Sequence, residues 1–338
     1  MTIRLVVFAC SVVAINSCAG TTGAFDIQES TQTDMRTAPN SRPSEGGNRL
    51  SQAPPMRVTR SQASAVPWPE VFKNLNAVGA KYGVEIRSDV AVGTEQVDHI
   101  AALTRKAYRF DRVLHDASAA ALNRPLIVGL ASDALAGGRG GFSALGPDTL
   151  VGPLFRFSPD VKNPGWGRYA LAHELNHLIM NRLGANVGKV PVYLFEGDAV
   201  SKGARFLVQE PGAPSDFTPL ETMARELATV TRAEAAQALH GFRAPSDFHG
   251  KTAREVGRAE HIGGLFVEFL RVRLIGPTAD ARLGRVWLNI GKGENFESAF
   301  AAVMGQTLAA TEGAFLDFIA NTSKSADERF SGTVFAGR

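Results

Sequence analysis

The chain has 338 residues, of which 44% are hydrophobic and 20% are charged, the balance of an ordinary globular protein. Its formal net charge is +3 at pH 7, and no run of Lys or Arg is longer than two residues. A charge excess this small and this scattered argues against a nucleic-acid partner. The length suits one large domain or two modest ones.

The first segment, 1–18, is typical of a signal peptide, because Arg4 precedes an apolar stretch too short to span a bilayer. Its end, Ile15-Asn16-Ser17-Cys18, resembles the bacterial lipobox, in which the cysteine is lipidated and becomes the new N-terminus. The resemblance implies secretion across the inner membrane and a lipid anchor at Cys18. Because Ala19 is not aspartate, it also implies a periplasm-facing outer-membrane lipoprotein. The alternative is an ordinary signal that is cut elsewhere, for example after Ala24.

The segment that follows, 19–66, is rich in Ser, Thr, Gln, Pro, Asn and Gly, and its apolar residues are isolated. No periodicity is visible, so we predict a disordered tether. Cys10 and Cys18 are the only cysteines. The mature chain is therefore expected to have neither an internal disulfide nor a cysteine metal ligand.

From Pro67 onward the pattern is that of a folded protein. In the first half it predicts a strand at 82–86, an amphipathic helix at about 94–120, a buried strand at 125–130, a flexible glycine-rich loop at 137–141 and a strand at the sheet edge at 149–157. In the second half it predicts helices at 167–183, 193–208, around 262–270, 296–304 and 309–320. Strands followed by helices indicate an α+β fold, divided here into an α+β subdomain at 67–210 and a helical subdomain at 211–325.

The most informative motif is His173-Glu174-Leu175-Asn176-His177, followed after eighteen residues by Glu196. Two histidines four residues apart on a helix point the same way and can hold one metal ion. Glu196 would add a third ligand from the next helix, which leaves one position open on zinc, the mark of a catalytic site. A solvated helix is the alternative, but the flanking residues are mostly apolar, and buried His and Glu are costly unless paired.

This donor set predicts hydrolytic chemistry. Zinc held by two neutral imidazoles and one carboxylate lowers the pKa of a bound water to about 7. Glu174 would accept a proton from that water and later deliver it to a leaving amine. Amide hydrolysis fits every part of this scheme, and ester hydrolysis would fit too.

The motif H-E-x-x-H-x18-E, with its last residue inside Leu194-Phe195-Glu196-Gly197-Asp198-Ala199, resembles the gluzincin zinc metallopeptidases, the thermolysin and M1 aminopeptidase group. The bacterial peptidase MA-like domains are the nearest part of that group, although Tyr193 and Phe195 stand in place of their usual Trp. The segment 263–270 resembles their G-x-x-F-V-x-Y-L helix. The resemblance implies a zincin-like N-terminal subdomain, with a small mixed sheet and the H-E-x-x-H helix, packed on a helical C-terminal subdomain. It also implies Zn²⁺ as cofactor and a peptide or protein substrate in the cell envelope.

Gluzincins place a Tyr or His downstream to bind the oxyanion. His261, just ahead of the glycine pair 263–264, suits that role. One alternative is that His261 is a histidine that faces solvent and has no catalytic role. The other is that His249 binds the oxyanion instead. Asp198 could either orient a ligand histidine by a hydrogen bond or simply favour the helix dipole. The other histidines, His99, His115 and His240, are expected to be solvated or hydrogen-bonded.

Two other functions remain open from the sequence. One is a non-catalytic envelope lipoprotein that keeps the fold for binding, and the other is a zinc hydrolase of ester or cell-wall amide bonds. The complete set of zinc-site residues counts against the first. The chain has no G-x-M-E-N aminopeptidase signature, which favours cleavage within a chain.

Overall fold

The computed structural model describes residues 66–115, 124–158, 164–209 and 229–321. The expected signal segment with Cys18 lies outside the described residues. The expected tether also lies outside them, apart from Val66, as does the expected boundary between the two subdomains at 210–211.

Within the described ranges the sheet has five strands, which are β1 (Asn76–Lys81), β2 (Val84–Ser88), β3 (Leu126–Ala131), β4 (Ser143–Ala144) and β5 (Thr149–Pro153). Their spatial order is β1-β2-β3-β5-β4, with the middle three parallel and the outer two antiparallel to their neighbours. Tyr82 and Gly83 both have positive φ and make the tight turn between β1 and β2, as a two-residue hairpin requires. The central strand β3 is a continuous apolar run because the sheet is covered on both faces.

Strands were predicted close to β2, β3 and β5, and these three are confirmed. The expected place of the third strand is wrong in two respects. Residues 154–157 form a 3₁₀ helix. In addition, β5 lies inside the sheet, because β4 pairs along its outer side. A strand of two residues carries no period that a sequence pattern could reveal.

Ten α-helices lie within the described residues: α1 (Trp68–Phe72), α2 (Thr94–Leu114), α3 (Asp133–Ala136), α4 (Pro164–Leu183), α5 (Val192–Gln209), α6 (Arg232–Gly241), α7 (Ala253–Phe269), α8 (Ala279–Gly291), α9 (Phe296–Met304) and α10 (Leu308–Asn321). The predicted helices are confirmed, with two differences in their ends. The helix predicted at about 94–120 ends at Leu114, and residues 116–120 lie outside the described residues. Helix α7 begins about nine residues before its apolar stripe. Its start is set by a capping box, in which Thr252 and Glu255 satisfy each other's backbone N–H groups. None of the described helices is both long and apolar enough to cross a membrane.

Helix α4 packs against α2, α5 and α8 and against strands β4 and β5. One cluster of buried apolar side chains runs from Val84 in β2 through α4 to Ile319 in α10. The protein is thus a mixed α+β fold in which the sheet and the helices share a core. A second, smaller apolar cluster contains Trp68 of α1, and the buried guanidinium of Arg139 lies 3.9 Å from the centre of the Trp68 ring.

Two glycine contacts allow helices to approach closely. A Cβ on Gly197 would lie 2.2 Å from the backbone of Gly263, and a Cβ on Gly263 would lie 2.0 Å from the carbonyl oxygen of Tyr193. Any side chain at these positions would push α5 and α7 apart. Gly263, the first residue of the glycine pair noted in the sequence, therefore serves the packing of α7 onto the helix that carries Glu196.

Candidate metal centre

Three side-chain atoms converge between α4 and α5. The Nε2 atoms of His173 and His177 are 3.0 Å apart, and Oε2 of Glu196 lies 3.3 Å from the first and 3.1 Å from the second. All three residues are buried, with exposed fractions of 7%, 5% and 6%. This group could bind a metal ion, as the spacing of the three residues in the sequence predicts.

The size of this triangle fits a small divalent cation. Ligands about 2.0–2.1 Å from a tetrahedral zinc ion lie roughly 3.3 Å from one another. The donor chemistry fits as well, because two imidazole nitrogens and a carboxylate oxygen are the usual ligands of such an ion. Three lone-pair donors this close repel one another unless a cation or a shared proton lies between them.

Local sequence explains how the three donors meet. The two histidines are one helical turn apart on α4, so their rings lie on the same face. Pro191 starts α5, because its carbonyl oxygen accepts the first hydrogen bonds of the helix from Leu194 and Phe195. The Phe195 ring stacks on the His177 imidazole, with ring centres 4.4 Å apart and planes 12° apart. An aromatic residue beside Glu196 therefore fixes the orientation of one of the ligands.

Glu174 lies next to the three donors, at the edge of the sheet. Its Oε2 accepts a hydrogen bond of 3.0 Å from the backbone N–H of Ala144 in β4. Burial raises the pKa of Glu174 to about 7; the neighbouring Glu196 also raises it, while His173 and the Ala144 N–H lower it. For Glu196, burial acts upward too, but His177 and His173 outweigh it and hold the pKa well below its usual range. Two carboxyl groups in one site thus differ strongly in basicity.

The expected hydrogen bond from a histidine of the motif to Asp198 is not found among the described residues. The Nδ1 atoms of both ligand histidines have no partner there. Oδ2 of Asp198 lies 3.1 Å from Nε2 of His115 and 3.4 Å from Nδ2 of Asn176. Helix geometry explains this, because Asp198 is two residues beyond Glu196 and points to a different side of α5.

Asn176, for which the sequence predicts no role, connects α4 to α2 and α5 through its side-chain amide. Its amide nitrogen also donates to Oδ1 of Asp111 in α2, at 3.2 Å. Nδ1 of His115 lies 3.1 Å from the same oxygen. His115 is hydrogen-bonded, as predicted, through its Nε2 and Asp198, and its side chain is fully buried. Although burial lowers its pKa, Asp111 and Asp198 raise the pKa of His115 to about 9, so the ring is cationic at neutral pH.

The same network extends along α5 to α8. Nζ of Lys202 donates to Asp198 at 2.7 Å and to Asp280 at 2.5 Å, and Arg205 donates to Asp280 at 2.7 Å. Burial acts against charge on both carboxylates, but Lys202 lowers the pKa of each of them. Three cations (His115, Lys202 and Arg205) balance three carboxylates (Asp111, Asp198 and Asp280). The network ties α2, α4, α5 and α8 together directly behind the metal-binding donors.

A further carboxyl group near these donors belongs to Glu260 on α7, and it was not predicted from the sequence. Loss of hydration raises its pKa well above the usual range, and the nearby Glu196 and Glu174 raise it further. Glu260 is one turn before Gly263, which contacts α5 beside Glu196. The sequence signal that could have found it is this spacing of three residues, which places Glu260 on the face of α7 that meets α5.

The two candidate oxyanion donors lie in different surroundings. His261 is in the middle of α7 and half-buried, whereas the sequence suggested a position just ahead of that helix. His249 is exposed and follows the 3₁₀ helix Pro245–Phe248. The roles expected for both remain predictions.

No protein-family model matches the chain, and no curated protein matches it either. The resemblance to gluzincins therefore rests on the motif residues themselves.

Proposed function

We propose that this protein is a zinc-dependent peptidase of gluzincin type, with a zincin-like α+β part packed on a helical part and its active site at the donors of α4 and α5. The observation that carries the proposal is the position of Glu174. Its buried carboxyl group lies between the three metal-binding donors and the backbone of the outermost strand, β4. A structural role in the core would not require a carboxyl group with a pKa of about 7 beside a set of metal ligands.

His173, His177 and Glu196 would hold the ion. When bound, zinc supplies a Lewis acid that polarises a carbonyl group and makes water acidic enough to ionise near pH 7. Glu174 accepts the proton of the attacking water, because its carboxyl group lies beside the three donors that would hold the ion. The same carboxyl group then delivers the proton to the leaving amine nitrogen.

Strand β4 offers a way to orient a peptide. Its inner side pairs with β5, and on its other side the Ala144 N–H is directed to Glu174. An extended substrate that pairs with this edge would lie alongside the general base. The oxyanion that forms on attack needs a donor from the protein, and we assign this role to His261, with His249 as the alternative.

The test combines metal analysis with cleavage of a peptide library by the purified full-length chain. We expect about one zinc ion per chain, and loss of most of it when any of the three ligands is replaced by Ala. Glu174→Gln keeps the size and hydrogen bonding of the side chain but cannot accept the proton. It should retain zinc and lose about 10²–10⁴-fold in turnover, the usual contribution of a general base.

Glu294→Gln is the matched control, because Glu294 is an exposed carboxylate between α8 and α9. It should keep both zinc and turnover. Failure of the chain to take up zinc on titration would refute the metal-dependent reaction. Zinc uptake without cleavage of any peptide would exclude a peptidase, and near-normal turnover of Glu174→Gln would show that Glu174 is not the base.

A further inference from the structure

A basic groove lies on the outer face of α2. It has a volume of about 710 Å³ and is lined by Tyr82, Ala102, Arg105, Lys106, Arg109 and Arg112. Four of these six residues are cationic, and no carboxylate is among them. Lys106, Arg109 and Ala102 are exposed, while Arg105 and Arg112 are half-buried.

Helix geometry gathers the cations on one side. Arg105, Arg109 and Arg112 are three or four residues apart and therefore share one face of α2, and Lys106 lies beside them at its edge. Asp111 and His115 lie on the opposite face, where they reach Asn176 and Asp198 behind the metal-binding donors. The basic groove thus faces away from the proposed active site, and a ligand bound there would leave Glu174 accessible.

The cations of the groove repel one another. Arg105 and Arg109 are one turn apart, a spacing at which like charges destabilise a helix. Loss of hydration lowers the pKa of Arg105, and the nearby Arg109, Arg182 and Arg112 lower it further. Arg105 is also held in place, because its Nε donates to the carbonyl oxygen of Tyr82 at 2.7 Å. An anion bound in the groove would relieve this repulsion.

One aromatic side chain completes the surface. Tyr82 is at the tip of the β1–β2 turn with a positive φ of 53° and an exposed fraction of 54%. Lys81 lies next to it, with its Nζ 5.3 Å from the centre of the Tyr82 ring. An amphipathic ring that projects beside a row of cations suits the boundary between lipid headgroups and acyl chains.

We propose that the basic groove docks the folded part of the protein onto an anionic phospholipid surface. The lipid phosphates would pair with the four cations, and the Tyr82 ring would enter the headgroup layer. The row from residue 105 to residue 112 is about 10 Å long, at 1.5 Å per residue, so it could contact more than one headgroup. This docking is independent of the reaction proposed for the metal centre.

The test measures sedimentation of the full-length chain with lipid vesicles, in a Cys18→Ser background so that no acyl group contributes. One set of vesicles is pure phosphatidylcholine, and the other has about one third of its lipid replaced by phosphatidylglycerol. The quantity compared is the ratio of binding to anionic over neutral vesicles, because any apolar contribution from the N-terminal segment is common to both. The protein with an unaltered groove should bind anionic vesicles more strongly than neutral ones, and this preference should fall with added salt.

The variant is Lys106→Gln with Arg109→Gln, and the matched control is Lys292→Gln with Arg285→Gln. Arg285 is exposed on α8 and Lys292 just follows that helix. Each Lys or Arg near an anionic membrane contributes about fivefold to binding, so the groove variant should lose roughly 25-fold of the preference. The control pair should lose little. Equal losses in both pairs would overturn the proposal, because net charge alone would then explain the binding.

A Tyr82→Ser variant tests the headgroup contact separately and should weaken binding to anionic vesicles without changing its salt dependence. Absence of any preference for anionic vesicles would overturn the proposal. Complete displacement of the protein from anionic vesicles by millimolar inorganic phosphate would also overturn the proposal, because the groove would then be a site for a soluble phosphate.

Discussion

Replacing Lys202 by Met tests whether the charge network behind the metal-binding donors stabilises the fold. Lys202 has an exposed fraction of 1%, and its Nζ donates to Asp198 and Asp280 at 2.7 and 2.5 Å. Methionine can fill the volume of the aliphatic stem, so the loss concerns mainly the charge. Removal of one partner from a buried ion pair costs about 3–5 kcal/mol, because the remaining charge has no compensation.

The remaining contacts place this variant at the lower end of that range. Arg205 would still donate to Asp280 at 2.7 Å, and His115 would still lie 3.1 Å from Asp198. We therefore expect the free energy of unfolding to fall by about 3 kcal/mol. For a folded part of this size, the melting temperature should fall by about 6–12 °C.

Urea denaturation followed by circular dichroism gives the free energy, and thermal scans give the melting temperature. Lys292→Met is the matched control, since Lys292 is exposed, and it should change stability by less than about 0.5 kcal/mol. A cost below about 1 kcal/mol for Lys202→Met would refute the reasoning. A second variant sharpens the test. Asp198→Asn combined with Lys202→Met should lower the free energy of unfolding by less than the sum of the single changes, because the double variant removes one of the carboxylates that lose their cation.

Three further outcomes are expected. Asp111 and Asp198 outweigh burial and raise the pKa of His115 from 6.5 to about 9. The stabilising contribution of His115 is therefore complete below pH 6.5 and should be lost as the pH rises through 9. The free energy of unfolding of His115→Gln, measured by urea denaturation, should lack this decline, and the same pH dependence in both proteins would contradict the prediction. His261→Phe should lower kcat by about 10²–10³-fold with KM and zinc content nearly unchanged, while His249→Phe has little effect; the reverse pattern would transfer the role to His249. Cys18→Ser should move the protein from the membrane fraction to the soluble fraction, and identical soluble fractionation of both forms would exclude a lipid anchor.

Features that depend on neighbours in the sequence were predictable. The two histidines of the motif meet because residues four apart on any helix lie on one face. The amphipathic period of α2 and the apolar run of β3 likewise follow from local pattern. The third candidate metal ligand, Glu196, was predicted from the spacing of the motif H-E-x-x-H-x18-E.

What surrounds the metal-binding donors was decided by the tertiary structure. The contact between His115 and Asp198 spans 83 residues of sequence, and the one between Lys202 and Asp280 spans 78. No periodic pattern links residues so far apart, because such contacts depend on how the helices pack. The hydrogen bond from the Ala144 N–H to Glu174 spans 30 residues, and it depends on how β4 packs beside α4.

The sequence by itself thus determined which atoms could hold a metal ion, because ligand spacing on a helix is a local property. The tertiary structure decided which charges surround them, because burial and pairing set the pKa of Glu174 and the charge on His115. Asp198 shows the difference most clearly. Its place two residues after Glu196 suggested either a hydrogen bond with a histidine of the motif or a favourable contact with the helix dipole, whereas the packing of the helices gives it His115, Asn176 and Lys202 as partners.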